Sequence, residues 1–203
     1  MFQSKTMEVK TNNESGYLGI VLGPMYSGKT SRLLALYKQY KFCDMPIAVV
    51  NFDEDTRYSD NMLSTHDKNM IPCFMKNSLI EAFPFDGEEI KKYKVFLINE
   101  AQFFPDIIEW VKEAISPKHK KIIHISGLDG DFKRNTFGNW LDLIAYCDSV
   151  EKLTSICCRC KNAPAIFSHR LTKQKAQKVI GSDNYIPLCR KCYDVSNIST
   201  KGN

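Results

Sequence analysis

The sequence predicts an α/β protein with a parallel sheet flanked by helices, followed by a small cysteine-rich C-terminal domain. Three observations lead to this prediction. Short apolar runs alternate with helical patterns over residues 17–147, which is typical of parallel strands joined by right-handed crossovers. A glycine-bounded loop follows the first apolar run, at residues 23–30. Two Cys-x-x-Cys pairs lie near the C-terminus, at 157–160 and 189–192.

The elements can be assigned in chain order. Residues 1–15 are polar and predict a disordered tail. Residues 53–69 form a long polar connection with five acidic residues, and such connections are uncommon unless they serve a function. Strands are predicted at Tyr17–Leu22, Ile47–Phe52, Lys94–Ile98 and Lys121–Ser126, and helices at Ser31–Tyr37, Pro105–Ile115 and Trp140–Cys147. We expect an α/β domain over 16–153, a cysteine domain over 154–195 and a flexible tail over 196–203.

Composition limits the possible partners. A chain of 203 residues with a hydrophobic fraction of 43% supports one medium domain with a small appendage. The net charge of +5 fits a site that collects phosphates and does not require nucleic acid. No apolar run is long enough to span a bilayer, and residues 1–15 lack a hydrophobic signal segment. We therefore expect a cytoplasmic protein without a membrane or nucleic-acid partner.

Residues 23–30 predict a phosphate-binding loop, because every fixed position of G-x-x-x-x-G-K-[ST] is filled between a strand and a helix. Backbone N–H groups and the helix N-terminus converge on an anion there, and Lys29 reaches the β- and γ-phosphates. The Thr30 hydroxyl is placed to bind Mg²⁺. The predicted nucleoside triphosphate site comprises Gly23, Pro24, Met25, Tyr26, Ser27, Gly28, Lys29 and Thr30.

The third predicted strand ends in Asn99 and Glu100, at the edge of the sheet where ligands collect. Asn99 offers a neutral oxygen that can hold a magnesium-bound water. Glu100 is then free to act as a general base toward an attacking hydroxyl. Arg57 can stabilise the transferring phosphoryl group or fix the acceptor's oxygen, although an isolated arginine is more often a surface ion-pair residue.

The paired cysteines Cys157, Cys160, Cys189 and Cys192 predict a tetrahedral site for a structural zinc ion. Cys157 is preferred over Cys158 because it keeps the two-residue spacing to Cys160. The 28 residues between the pairs must leave the metal and return to it. Residues 179–185 could therefore fold over a small acceptor; a surface hairpin is the alternative. We call residues 177–185 the lasso.

Several motifs together resemble the type II thymidine kinases, the cellular and large-DNA-virus enzymes with a zinc-tied lasso. The similarity covers residues 17–193, and the combination of motifs is far more specific than the phosphate loop alone. Besides the loop and the cysteine pairs, the motifs are Asp55-Thr56-Arg57-Tyr58, Thr65-His66-Asp67, Glu100-Ala101-Gln102-Phe103-Phe104 and Leu128-Asp129-Gly130-Asp131-Phe132.

The resemblance implies transfer of the γ-phosphoryl group of ATP to the 5′-hydroxyl of thymidine, with Mg²⁺ at the phosphates and structural Zn²⁺. It assigns catalytic roles to Glu100, Arg57 and Lys29. It adds to the ATP and Mg²⁺ site Asp55, Thr56, Arg57, Asn99, Glu100, Ala101 and Gln102. It places at the nucleoside Met25, Phe103, Leu128, Phe132, Gln177, Lys178, Val179, Ile180, Gly181 and Tyr185. It also implies feedback inhibition by dTTP and a homo-oligomer, a tetramer or a dimer.

The chain departs from the family pattern in two places. Asn99 stands where the family has an aspartate, so we expect weaker Mg²⁺ binding, with Asp53 or Asp55 holding waters on the ion. The lasso is one residue shorter than usual. The resemblance therefore does not specify which residues before Val179 contact the base. Two other functions stay open: a nucleic-acid-dependent ATPase with a zinc module, and a non-catalytic nucleotide sensor, which Asn99 would suit.

Overall fold

The structure is a computed structural model that describes residues 15–53, 62–64, 69–174, 176–178 and 184–198. In chain order, the larger part contains β1 (Tyr17–Leu22), α1 (Lys29–Phe42), β2 (Ile47–Phe52), β3 (Met62–Ser64), β4 (Met70–Pro72), β5 (Phe74–Lys76), α2 (Leu79–Ala82), β6 (Val95–Ile98), α3 (Ile107–Ala114), β7 (Ile122–Gly127) and β8 (Ser149–Lys152). The smaller part contains β9 (Ser155–Ile156), β10 (Pro164–Ala165), β11 (Phe167–Arg170), β12 (Tyr185–Leu188) and α4 (Arg190–Ile198). Short 3-10 helices occur at Ile90–Lys92, Ala101–Phe103 and Trp140–Tyr146.

A six-stranded sheet with the order β5-β2-β6-β7-β1-β8 forms the centre of the larger part. Each neighbouring pair in this sheet is parallel. The middle strands have little polar surface because both faces are covered, as a parallel sheet requires; all four residues of β6 are buried. These features confirm the predicted α/β fold class.

Helices cover the two faces of the sheet with separate apolar cores. On one face, α1 contributes Leu33, Leu34 and Leu36 to a cluster with Val49 and Leu97. On the other face, α3 and the 3-10 helix 140–146 contribute Trp110 and Trp140, both fully buried. Within the described ranges, no helix is long and apolar enough to cross a membrane.

Several boundaries differ from those predicted. The helix expected at Pro105–Ile115 is observed as Ile107–Ala114, and the stretch from Trp140 is a 3-10 helix rather than an α-helix. The connection over 53–69 contains β3, which pairs with β4 because Leu63 is buried in the core beneath α1. Strand β8 was not predicted, because its alternating half-buried pattern carries little hydrophobic signal at the edge of the sheet.

The smaller part has its own core. Cys157, Ala165, Leu188 and Tyr193 pack together in it, and β11 pairs with β12 in an antiparallel ribbon. Helix α4 continues to Ile198, so the first three residues of the predicted tail 196–203 are helical, and the flexibility of the tail stays a prediction. The reason is local packing, because Ser196 is only 7% exposed and its hydroxyl donates to the Cys192 carbonyl. Of the predicted disordered tail 1–15, only Ser15 lies within the described residues.

One polar pair is buried inside this apolar frame. His124 on β7 is 1% exposed, and its Nε2 lies 2.8 Å from the Tyr40 hydroxyl of α1. Burial is the main cause that lowers the pKa of His124 from 6.5 to about 4, and the charge of Arg32 adds to it. Burial also raises the pKa of Tyr40 to about 12. Both side chains are therefore neutral at physiological pH.

The depressed pKa of His124 predicts a specific loss of stability in acid. Between about pH 6.5 and pH 4 the unfolded chain binds a proton at His124 that the folded chain does not, so stability falls as the pH falls through this window. The shift corresponds to about 3 kcal/mol. The His124→Gln variant keeps a polar partner for Tyr40 and should show a flatter pH dependence of the free energy of unfolding, measured by denaturant titration. Equal slopes for both proteins would contradict this account.

Candidate active site

The loop at residues 23–30 lies between β1 and α1 and is built to receive an anion. Gly28 has φ 87°, a left-handed conformation that favours glycine. Apart from its chain neighbours, no described residue comes within 4 Å of the position a Cβ would take. Gly28 leaves α1 without a side-chain cap, and the first turn of the helix carries no acidic residue. The uncapped N–H groups and the positive end of the helix dipole therefore face the loop.

Two side chains complete the phosphate loop. Lys29 Nζ donates to the Pro24 carbonyl at 2.8 Å, which places the ammonium group across the loop. Ser27 Oγ is buried and finds no hydrogen-bond partner within the described part of the chain. A buried hydroxyl of this kind is costly unless a ligand satisfies it. The loop therefore fits a polyphosphate, with Lys29 and the N-terminus of α1 as the positive groups.

A buried hydrogen-bond network, which we call the strand-end network, joins three strands next to this loop. Asn99, directly after β6, donates to Asn51 Oδ1 of β2 at 2.9 Å and accepts from Ser126 Oγ of β7 at 2.8 Å. The three residues are between 0% and 3% exposed. Both polar atoms of the Asn99 amide are thus used inside the protein. Direct contact between Asn99 and Mg²⁺ stays a prediction, and the observed role is to hold strand ends together.

Glu100 follows this network in a strained conformation, with φ 55° and ψ 43°. A left-handed conformation costs a residue with a side chain about 1 kcal/mol, and such strain is concentrated at functional sites. Gln102 Nε2 donates to the Glu100 carboxylate at 2.6 Å, and Gln102 Oε1 accepts from the Leu128 N–H at 3.0 Å. The Gln102 amide therefore fixes the carboxylate relative to the loop after β7.

Gly127 makes room for this bridge, because a Cβ at that position would lie 2.7 Å from Gln102 Oε1. The Trp140 indole holds the same loop by donating to the Leu128 carbonyl at 3.1 Å.

Half-buried apolar side chains form a wall beside Glu100. Phe103 packs on Phe52 with ring centroids 5.3 Å apart and meets Phe137 edge-on at 5.2 Å. The Lys178 ammonium lies 4.7 Å and 4.8 Å from the ring centroids of Phe52 and Phe103. Four residues predicted at the nucleoside have the partial exposure expected of such a wall, namely Met25, Phe103, Leu128 and Phe132.

The phosphate loop and the C-terminal part are joined by a direct hydrogen bond. The Met25 N–H donates to Ser168 Oγ of β11 at 2.9 Å, and Ser168 is 4% exposed. This bond connects the loop that fits a polyphosphate to the strand that leads toward the lasso. Movement of either segment therefore affects the other.

The four paired cysteines converge in the smaller part. The sulfur atoms of Cys157, Cys160, Cys189 and Cys192 all lie within 4.8 Å of one another. A tetrahedral zinc ion with bonds of about 2.3 Å holds its sulfur ligands about 3.8 Å apart, and the Cys160 and Cys189 sulfurs are 3.9 Å apart. The cluster therefore has the ligand number and spacing for a zinc ion.

The cysteine sulfurs differ in acidity: one thiol has a lowered pKa, whereas burial and the neighbouring cysteines raise the pKa of Cys192 to about 12. Burial raises the pKa of the Cys157 thiol, but backbone N–H donors at Cys189, Cys160 and Arg159 outweigh it and lower the pKa to about 6. With four thiolate ligands no coordination position stays open, so an ion held there would be structural rather than catalytic.

Some predicted residues lie outside the described ranges, and their roles stay predictions. They are Asp55, Thr56, Arg57, Val179, Ile180 and Gly181, together with the Thr65-His66-Asp67 motif. The structure describes the rest of the predicted site: the phosphate loop, Asn99 to Phe103, Leu128, Phe132, Gln177, Lys178 and Tyr185.

Several residues of this site were not predicted from the sequence. Asn51 and Ser126 could have been recognised as polar residues inside apolar strands, at the edge where ligands bind. Ser168 and Arg170 had no such signal, because their short strand has no periodic pattern that marks its polar residues as buried.

Fold and geometry define a class: an α/β protein with a phosphate-binding loop, a carboxylate at a neighbouring strand end and a cysteine-clustered appendage. Comparisons with known proteins narrow this class. The sequence model of the family described as thymidine kinase matches residues 16–193. Thymidine kinase 1 of Dictyostelium discoideum is 35% identical over 185 residues, which cover 89% of this chain and 78% of that protein.

Poxvirus proteins show similar sequence identity and coverage. The thymidine kinase of Yaba monkey tumor virus is 38% identical over 183 residues, covering 90% of this chain and 97% of the viral protein. The thymidine kinase of Vaccinia virus (strain Western Reserve) is 35% identical over 179 residues, covering 88% and 97%. The chain belongs to the thymidine kinase family.

The cysteine cluster predicts the metal content of the purified protein. We expect one zinc ion per chain, and Cys157→Ser should lose most of it because three thiolates and a hydroxyl bind zinc more weakly. Cys158→Ser is the matched control, since Cys158 is exposed and lies outside the cluster. Elemental analysis of the two variants checks this assignment. Loss of zinc from the Cys158 variant alone would contradict it.

Proposed function

We propose that this protein transfers the γ-phosphoryl group of ATP to the 5′-hydroxyl of thymidine, forming thymidine monophosphate and ADP. Membership of the thymidine kinase family supports the substrates. The observation that carries the proposal is the bridge through Gln102, which ties the Glu100 carboxylate to the Leu128 backbone beside the phosphate loop. One edge of the sheet thus combines a polyphosphate site, a base and an apolar wall.

The donor half of the site is the phosphate loop. The N–H groups at the start of α1 and the Lys29 ammonium would hold the β- and γ-phosphates. Thr30, in the first turn of α1, is the residue that would bind Mg²⁺. Mg²⁺ held there would neutralise the charge that develops on the phosphate oxygens. We retain Asp55, Thr56 and Arg57 as further members of this half.

The acceptor half supplies the base and the nucleoside pocket. Glu100 accepts the proton of the 5′-hydroxyl as the O5′–phosphorus bond forms and the bond from phosphorus to the β-phosphate oxygen breaks. Met25, Phe103, Leu128 and Phe132 would pack against the thymine ring and sugar. The lasso, including Val179, Ile180, Gly181 and Tyr185, would close over the base and exclude water.

The family also suggests how the enzyme works in the cell. We infer a cytoplasmic enzyme of deoxyribonucleoside salvage, active as a tetramer or dimer and inhibited by its distant end product dTTP. We assign Zn²⁺ a structural role, because it would close the ends of the segment that carries the lasso.

A nucleoside panel tests the proposal. Purified full-length protein with Mg-ATP is incubated with thymidine, deoxyuridine, deoxycytidine or a purine deoxynucleoside, and in parallel with single-stranded DNA or RNA. We expect thymidine-dependent release of ADP in equal amounts with thymidine monophosphate, identified by chromatography. ATP turnover that requires nucleic acid would replace the proposal with an ATPase. Binding of ATP and thymidine without turnover would indicate a nucleotide sensor.

Two variants test the assigned base and its support. Glu100→Gln removes the proton acceptor and should lower turnover about a hundredfold or more. Gln102→Leu keeps the carboxylate but removes the amide that orients it, so we expect a loss of about tenfold in turnover with little change in the KM of ATP. Steady-state kinetics measure both. Near-normal turnover of the Glu100 variant would reject Glu100 as the base.

A further inference from the structure

We propose that Arg170 is a positioning residue that fixes where the lasso starts and thereby sets the affinity for the nucleoside. The proposal rests on the thymidine kinase activity assigned above, and it adds a residue that neither the motifs nor the phosphate loop includes. Arg170 is the last residue of β11 and only 5% exposed. It therefore lies inside the smaller part, at the point where the chain leaves toward the lasso.

The guanidinium group of Arg170 uses all of its five N–H donors. Nε donates to the Tyr185 hydroxyl at 3.1 Å, and one terminal nitrogen donates to the same hydroxyl. The two terminal nitrogens also donate to the backbone carbonyls of Gln174 at 3.0 Å, Ala176, and Gln177 at 2.9 Å. One side chain thus connects the segment before the lasso to the tyrosine that ends it.

These partners are all uncharged, so the geometry of the group matters more than its charge. A guanidinium is planar and carries its donors in a fixed fork, whereas a lysine ammonium has three donors on one atom. A single nitrogen cannot reach three separate carbonyls and a hydroxyl on two chain segments. Only arginine can therefore make this set of contacts.

Arg170 also supports the apolar wall of the acceptor pocket. Its guanidinium carbon lies 3.7 Å from the centroid of the Phe132 ring and 5.0 Å from that of Tyr185. Cation–π contact at this distance fixes the plane of the Phe132 ring. The same side chain thus determines the position of the wall and the start of the lasso that faces it.

A second contact holds the lasso start from the opposite side. Gln177 Nε2 donates to Asp131 Oδ2 at 3.0 Å and to the Thr136 carbonyl at 3.3 Å. Asp131 is itself fixed, since its Oδ1 accepts from the N–H groups of Lys133 and Asn135. Residue 177 is therefore held by its carbonyl through Arg170 and by its side chain through the loop after β7.

Loss of the Arg170 contacts should weaken nucleoside binding more than it weakens the fold. Gln174, Ala176 and Gln177 are exposed, so water can solvate their carbonyls when the guanidinium is removed. Gln177 and Tyr185, the first and last residues of the lasso, would then be correctly placed for only part of the time. If that fraction falls about tenfold, the apparent dissociation constant of the nucleoside rises about tenfold. The hydrogen bonds of Arg170 go to the lasso and the segment before it, whereas the phosphate loop is bonded to β11 through Ser168. We therefore expect the affinity for ATP to change little.

The test compares Arg170→Met and Arg170→Lys with Arg190→Met. Arg190 is the matched control, because it belongs to the same part of the protein but is exposed and stacks on Phe167. For both Arg170 variants we expect the KM of thymidine to rise about tenfold, with the KM of ATP and kcat changed less than about twofold. The control should match the wild type in all three values.

Limited digestion with trypsin gives a second readout that needs no activity. Cleavage after Lys173 and Lys178, which flank the residues that Arg170 holds, should become faster in both Arg170 variants and not in the control. Thymidine should slow this cleavage, and more thymidine should be needed in the variants. If the wild type does not phosphorylate thymidine, the proposed function fails. Faster cleavage of the Arg170 variants in the absence of ligand would still support the role of Arg170 in holding the start of the lasso.

Three results would overturn the proposal. An unchanged KM of thymidine in either Arg170 variant would show that the contacts do not position the lasso. Recovery of wild-type values by Arg170→Lys would show that charge rather than fork geometry is what matters. Loss of zinc and global unfolding in both variants would show that Arg170 stabilises the whole cysteine domain and has no separate role at the lasso.

Discussion

The strand-end network is the interaction on which the rest of the site depends. Through Asn99 it joins the ends of β2, β6 and β7 in the buried interior of the protein. Buried amides and hydroxyls are stable only when they find partners, so the network requires one register of these strands. That register puts Glu100 immediately beyond Asn99. It also places the Leu128 N–H within reach of Gln102.

The network gives a physical reason for the asparagine that departs from the family pattern. Asn99 acts as a donor to Asn51 and as an acceptor from Ser126, and a carboxylate at that position could not donate to the Asn51 oxygen. An aspartate would require Asn51 to turn its amide. The chain thus has a neutral residue at the position where a carboxylate could bind a metal ion. We therefore propose that Mg²⁺ would depend more on Thr30 and the remaining acidic residues.

The sequence was sufficient for the parallel sheet, the phosphate loop and the choice of Cys157 over Cys158, because each depends on local spacing. It was insufficient for contacts between segments far apart in the chain. Arg170 contacts Phe132 and Tyr185 only when β11 and β12 are paired. A four-residue strand is too short for a periodic pattern that would predict these contacts. The same limit explains why β8 was missed, since an edge strand with alternate exposed residues resembles an ordinary loop. Ser168 and Arg170, which were not predicted either, join the two parts of the protein through contacts with Met25 and Phe132.

The central claim is that one chain holds a triphosphate and thymidine together at this edge of the sheet. Calorimetric titration of the full-length protein with thymidine, in Mg²⁺ and saturating non-hydrolysable ATP analogue, tests it most directly. The account predicts binding of one thymidine per chain and no comparable heat with deoxycytidine. Tight binding of the analogue without any binding of thymidine would contradict the account, because the wall and the lasso would then serve another purpose.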